Sequence, residues 1–300
     1  MSIAEAHGQS FHGESRGVPD SGAPLLHAQC WGNGPTVIFV HGWLHSSDVW
    51  AEVAQHLAGK YRCIALDLPG FGQSAPLPAG RATFSAYSDI LAQTLTALPA
   101  SQKPVGIVAD SLGAILALRL WPERCVPGAA VILSGCPFLG LSRVFGVLAT
   151  THSLGLMLRL LHLTPMVVSR TAVAIGSLAT LKRLSAGATT LLHRAALDAD
   201  PAAAEQLFLE LCQVPQGLTQ DRIPGSTLMR GEFDRVATRR TVKPAAEALG
   251  AHYVELEGAG HTPMLECPAR FAVEIDRSIV RVCVDGGRST GSTMTSEATP

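Results

Sequence analysis

Three hundred residues suffice for one large domain or for a core with an inserted cap. An apolar share of 47% and a charged share of 16% exclude a disordered chain, and a net charge of −1 excludes the global signature of a nucleic-acid binder. The seven cysteines (Cys30, Cys63, Cys125, Cys136, Cys212, Cys267, Cys283) are scattered, odd in number and without metal-ligand spacing. They are expected to be reduced thiols of a cytoplasmic protein rather than a disulfide scaffold or a metal centre.

In chain order, residues 1–22 mix Gly, Ser, His and acids without periodicity and are expected to be flexible. No apolar core of a signal peptide lies within them. Residues 25–31 and 35–40 read as strands joined by the Gly32-Asn33-Gly34 turn. A helix follows at 48–58, a strand at 61–66, a helix at 85–98, and a buried strand at 105–108 that leads into a helix at 112–121. A strand at 129–133 comes next. After a long interruption come strands at 225–229 and 252–256, with helices at 242–249 and 268–282. Strands alternating with helices predict an α/β fold with a mostly parallel sheet and right-handed crossovers. Residues 23–136 and 223–284 form its core. Residues 137–222 break the rhythm with helical patterns at 139–150, 153–163, 166–179, 181–192 and 201–212, and are expected to form a cap. Residues 285–300 are low in complexity and expected to be disordered. No run of about eighteen uncharged apolar residues marks a membrane span; the nearest, 144–157, is interrupted by Thr150, Thr151, His152 and Ser153.

Three motifs carry chemistry. Ala109-Asp110-Ser111-Leu112-Gly113 places a hydroxyl on a strand-to-helix turn. Gly231-Glu232-Phe233-Asp234 supplies a carboxylate after a later strand, and Gly260-His261 supplies an imidazole near the C-terminus. Nucleophile, then carboxylate, then histidine is the chain order of a strained serine elbow whose partners stand on other strands. A serine hydroxyl is a poor nucleophile, so an imidazole must take its proton. A carboxylate on the other ring nitrogen fixes the tautomer and stabilises the imidazolium. Ser111, His261 and Asp234 are therefore the predicted nucleophile, base and orienting acid. Glu232 competes with Asp234, and position within the motif favours Asp234. Upstream, the strand at 35–40 ends in His41-Gly42-Trp43. The amides of Trp43 and Leu112 are the predicted donors to an oxyanion, and His41 is expected to buttress the loop.

These residues resemble the α/β-hydrolase superfamily, in its cap-bearing serine hydrolase and esterase branch. The likeness is carried by His41-Gly42-Trp43 with Trp50, Asp67–Ser74, the Ser111 elbow, Gly231–Asp234, and Gly260-His261-Thr262-Pro263 followed by Glu266-Cys267-Pro268. It implies the α/β-hydrolase fold, with the helical cap inserted after the sixth strand. Epoxide hydrolases and haloalkane dehalogenases are similar around His41-Gly42-Trp43 but use aspartate as nucleophile. The elbow needs glycine two residues after the nucleophile, and position 112 is Leu, so the register selects Ser111 over Asp110. Ala109 stands where glycine is usual. A charged Asp110 beside the nucleophile either raises the pKa of His261 or hydrogen-bonds local backbone.

From residue 137 to 197 the cap holds no Asp or Glu but carries Arg143, Arg159, Arg170, Lys182, Arg183 and Arg194. Such a face suits an anionic partner, namely an acyl carrier protein, a coenzyme A thioester or a membrane surface; alternatively these are solvated helix faces. The motifs around Trp43, Trp50 and Asp67–Ser74 also resemble the esterases that cleave methyl pimeloyl-carrier-protein. The expected activity is cofactor-independent hydrolysis of a carboxylic ester, or of a thioester or lactone, with an apolar acyl group, and no nucleic-acid partner. Trp43, His45 and Cys136 are the expected pocket wall. Carbon–carbon bond hydrolysis, perhydrolysis and non-catalytic ligand binding are the alternatives.

Overall fold

The structure, a computed structural model, describes residues 14–15, 26–120, 128–138, 184–213, 222–223 and 225–291. Its strands are β1 (Glu14–Ser15), β2 (Ala28–Trp31), β3 (Thr36–Val40), β4 (Arg62–Leu66), β5 (Pro104–Asp110), β6 (Ala130–Ser134), β7 (Ser226–Gly231) and β8 (His252–Leu256). They form one sheet in the order β1-β2-β4-β3-β5-β6-β7-β8. The β1–β2 and β2–β4 pairings are antiparallel, and all the others are parallel. Parallel neighbours need crossovers. Described helices are α1 (Ala51–Leu57), α2 (Phe84–Ala97), α3 (Leu112–Leu120), α4 (Ala186–Asp198), α5 (Pro201–Gln213), α6 (Arg239–Leu249), α7 (Pro263–Glu266) and α8 (Pro268–Gly291). None is long and apolar enough to cross a membrane.

The central strands are buried on both faces, and their alternation builds two cores. Ile38 and Val40, Ile107 and Ala109, and Val131 and Leu133 face one side with α2, α3 and α6. Val37 and Phe39, Val108, and Ala130 and Ile132 face the other with α1 and α8. There Trp50 lies between Phe39, at 5.2 Å, and Phe271, stacked at 6.2 Å. The α5 helix, from the cap sequence, adds Ala204, Leu207, Phe208 and Leu211 to the first core.

Several boundaries differ from the sequence reading. Glu14 and Ser15, inside the segment marked as flexible, pair with β2. The helix expected at 181–192 occupies Ala186–Asp198 instead, because the Ser185 hydroxyl caps it by accepting from the Ala188 amide. Residues 285–291 of the expected disordered tail are helical, as the end of α8; once α8 is formed, each further residue adds a hydrogen bond at little entropic cost. The expected cap helices at 139–150, 153–163 and 166–179 lie outside the described residues, as do Cys125 and the basic residues 143, 159, 170, 182 and 183. Arg194 is described: it is exposed and 3.6 Å from Asp198 one turn later.

Candidate active site

Ser111 directly follows β5 and has φ 48°, in the left-handed region that non-glycine residues seldom occupy. The turn is held by its amide, which donates to the Ser134 carbonyl at 2.9 Å. A Cβ on Gly113 would lie 2.7 Å from the carbonyl oxygens of Val40 and His41, so only glycine lets α3 start this close to β3. The methyl of Ala109 is accommodated within the first core.

The loops after β7 and β8 bring the other predicted residues to the same, carboxyl end of the parallel strands. His261 Nε2 is 3.3 Å from Ser111 Oγ, and His261 Nδ1 is 2.9 Å from Asp234 Oδ2. Asp234 Oδ1 accepts from the amides of Val236 and Ala237. Glu232 is turned away, its carboxylate accepting from the Gly258 amide. Gly231 allows the two loops to touch: a Cβ there would overlap the Gly260 carbonyl oxygen at 2.0 Å.

Two supporting residues escape a reading by sequence. Arg230 is buried in β7, where Nε donates to the Ala237 carbonyl at 2.9 Å and Nη2 donates to those of Glu232 and Asp234. Its Nη1 meets Glu255 Oε2 at 2.5 Å. One guanidinium thus closes the whole Asp234 loop. Glu266 does the same for the histidine loop, accepting from the amides of Gly260 and Thr262 and from the Thr262 hydroxyl. A charge inside an apolar strand was the available signal for Arg230. Glu266 already stood in the quoted motif, but without a role.

The predicted oxyanion residues follow neighbouring strands, Trp43 in the loop after β3 and Leu112 at the start of α3 after β5. Among the described residues, neither the Trp43 nor the Leu112 amide donates to a carbonyl outside helices and strands. His41 buttresses this loop: Nδ1 donates to the Gly42 carbonyl at 2.8 Å and Nε2 accepts from the Leu68 amide at 3.0 Å. Asp67 ties the next turn, accepting from the amides of Ser47 and Gln73. Leu44, with φ 57°, is the loop's one residue of left-handed backbone. Of the predicted wall, Trp43 lies against Phe208 of α5 at 5.0 Å and donates from Nε1 to the Ala204 carbonyl. Cys136 is buried beside the elbow, and its thiol is pushed far up by burial. His45 is half-buried, with Nδ1 4.0 Å from Asp110 Oδ2.

The electrostatics favour a proton on His261. Burial alone would lower its pKa, but the charge and hydrogen bond of Asp234, with Asp110 and Glu266, lift it to about 9. Burial depresses His45 to about 3, with His41 and His261 adding to the effect. No group of three or more His, Cys, Asp or Glu side chains among the described residues is gathered as metal ligands would be.

The profile of the alpha/beta hydrolase family matches residues 37–274. A pimeloyl-[acyl-carrier protein] methyl ester esterase of Aeromonas salmonicida is 38% identical over 109 residues, 35% of this chain and 41% of that protein. A haloalkane dehalogenase of Mesorhizobium japonicum is 35% identical over 107 residues, 36% of this chain and 34% of its own length. The chain thus spans less than half the length of these curated relatives. Among solved structures, an esterase from Thermogutta terrifontis is similar with a TM-score of 0.66 and 20% identity, over 89% of this chain and 97% of that one. Potato epoxide hydrolase I reaches a TM-score of 0.64 at 18% identity, over 85% and 96%.

Proposed function

The chain belongs to the alpha/beta hydrolase family, and we propose that it is a serine hydrolase of carboxylesterase type that cleaves an ester with an apolar acyl group. The observation that carries this reading is the hydrogen-bonded series from Ser111 Oγ through His261 to Asp234, starting on a strained elbow. In the reaction Ser111 Oγ attacks the ester carbonyl and its proton passes to His261 Nε2. The amides of Trp43 and Leu112 receive the oxyanion, a service worth about 3 kcal/mol of barrier per donor. Collapse expels the alcohol, which takes the proton from Nε2. Water then attacks the acyl-enzyme, gives a proton to Nε2, and the departing Ser111 oxygen regains it. Asp234 holds the ring tautomer throughout.

Relatives named as esterases support the ester class. Trp43, His45 and Cys136 form the pocket wall in this reading, with Phe208 opposite Trp43. An anionic carrier protein or coenzyme A thioester is the partner that the basic cap sequence would suit. Of the six basic residues at 137–197, Arg194 is the one described, and it is exposed beside Asp198. Intact-mass labelling with a fluorophosphonate tests the reading. The parent is expected to gain a single adduct that Ser111→Ala lacks. No adduct on the parent at any pH would overturn it in favour of ligand binding without turnover.

A further inference from the structure

Asp110 precedes the nucleophile and is fully buried. No backbone group bonds its carboxylate, whose polar neighbours are the Ser134 hydroxyl, which favours the charged form, and Nδ1 of His45, 4.0 Å away. The alternative that Asp110 serves local backbone is therefore not what the structure contains. The carboxylate stands between two loops of the site. Its Oδ2 lies 2.9 Å from where a Cβ on Gly42 would be, on the oxyanion loop. On the other side, Oδ1 and the Nδ1 and Cε1 atoms of His261 all lie within 3.2 Å of where a Cβ on Gly135 would be.

An isolated buried carboxylate is too costly to stay ionised unless a positive charge answers it. The groups that face Asp110 are few. His45, with His41 behind it, comes from the loop after β3; Ser134 and Cys136 come from the end of β6; Asp234 follows β7 and His261 follows β8. His45 is held neutral by burial, and Asp234 has the wrong sign. The imidazolium of His261 is the positive charge within reach. Burial, opposed by His261 and the Ser134 hydroxyl and reinforced by Asp234, brings the Asp110 carboxyl to about 7, so it ionises while His261 still holds its proton.

We propose that Asp110 is a positioning residue acting through His261: a second carboxylate beside the ring, in addition to Asp234, that holds the proton on the base and delays activation of Ser111 to alkaline conditions. The inference rests on the serine hydrolase reading. A negative charge beside an imidazole stabilises its protonated form and raises the pH at which the base becomes free. Removing that charge must lower it.

The test is the pH dependence of the fluorophosphonate labelling rate of Ser111 in the parent, in Asp110→Asn and in Asp110→Leu. Asn keeps the shape, and Leu suits apolar surroundings, so both are expected to fold by thermal melting. Both variants should shift the acid limb to lower pH by about one unit or more. At about pH 8, where Asp110 is ionised and His261 still holds its proton, each should then label several-fold faster than the parent, whereas at about pH 6, where Asp110 is itself protonated, the rates should converge. A uniform fall in rate with an unmoved midpoint would mark Asp110 as structural and overturn the inference, as would failure of both variants to fold. Absence of labelling in the parent would instead overturn the serine hydrolase reading.

Discussion

At the scale of single residues, the site is a set of side chains held from behind. Asp234 meets His261 because Arg230 collects three carbonyls of its loop and is itself neutralised by Glu255. Only a guanidinium presents donors in such a fork. Arg230→Met leaves these carbonyls without a partner and Glu255 with only Tyr253 and Arg239, at about 1–3 kcal/mol for an unsatisfied buried group. Its labelling rate should fall at every pH, by roughly tenfold or more as the acid loop loosens, with the acid-limb midpoint little changed. Arg230→Lys should rescue little of this. The pH-resolved labelling that tests Asp110 separates the two residues: one sets how well the site is assembled, the other sets when the base is free.

Among the described elements, α5 meets the site's loops at several points. The Asp200 carboxylate caps it through the Ala203 amide, Glu210 accepts from the Phe84 amide of α2, and the Trp43 indole donates to the Ala204 carbonyl. Its apolar face belongs to the first core, so this helix, from the sequence expected to form the cap, is anchored like a core helix. The Trp43–Phe208 contact therefore stands fixed beside the loop after β3, as a wall of the proposed pocket. Phe208→Ala removes half of that wall. The preference for long over short acyl chains should rise by about tenfold, the scale on which one apolar contact discriminates. Comparing kcat/KM over p-nitrophenyl esters of graded length reads this out, with an unchanged ratio counting against the assignment of the wall.

For the whole molecule, the sheet separates stability from chemistry. The core that holds Trp50 and Phe271 packs beneath the sheet with α1 and α8, while α3 and α5 pack on the other side. Phe271→Ala should cost about 3–5 kcal/mol of stability, the usual range for emptying a buried phenyl site. It should leave the Ser111 labelling rate unchanged below the melting transition. Urea unfolding and labelling on the same preparation test both halves of that statement.

Much of this architecture could be read along the chain, because the physics involved is local. The buried run 104–110 ending in a small-flanked serine, the alternation of apolar residues through 36–40, and the order of serine, aspartate and histidine each depend on residues a few positions apart. The start of the helix after Ser185 and the end of α8 were missed for a similar reason: capping and propagation override periodicity at helix ends. What only the tertiary structure decided is what stands next to what over long separations. Ser111 and His261 are 150 positions apart, and Arg230 shows its purpose only when the carbonyls around it are seen. Whether Asp110 finds a backbone partner or faces an imidazole depends on how three loops close around two glycines, and burial makes that placement govern its charge.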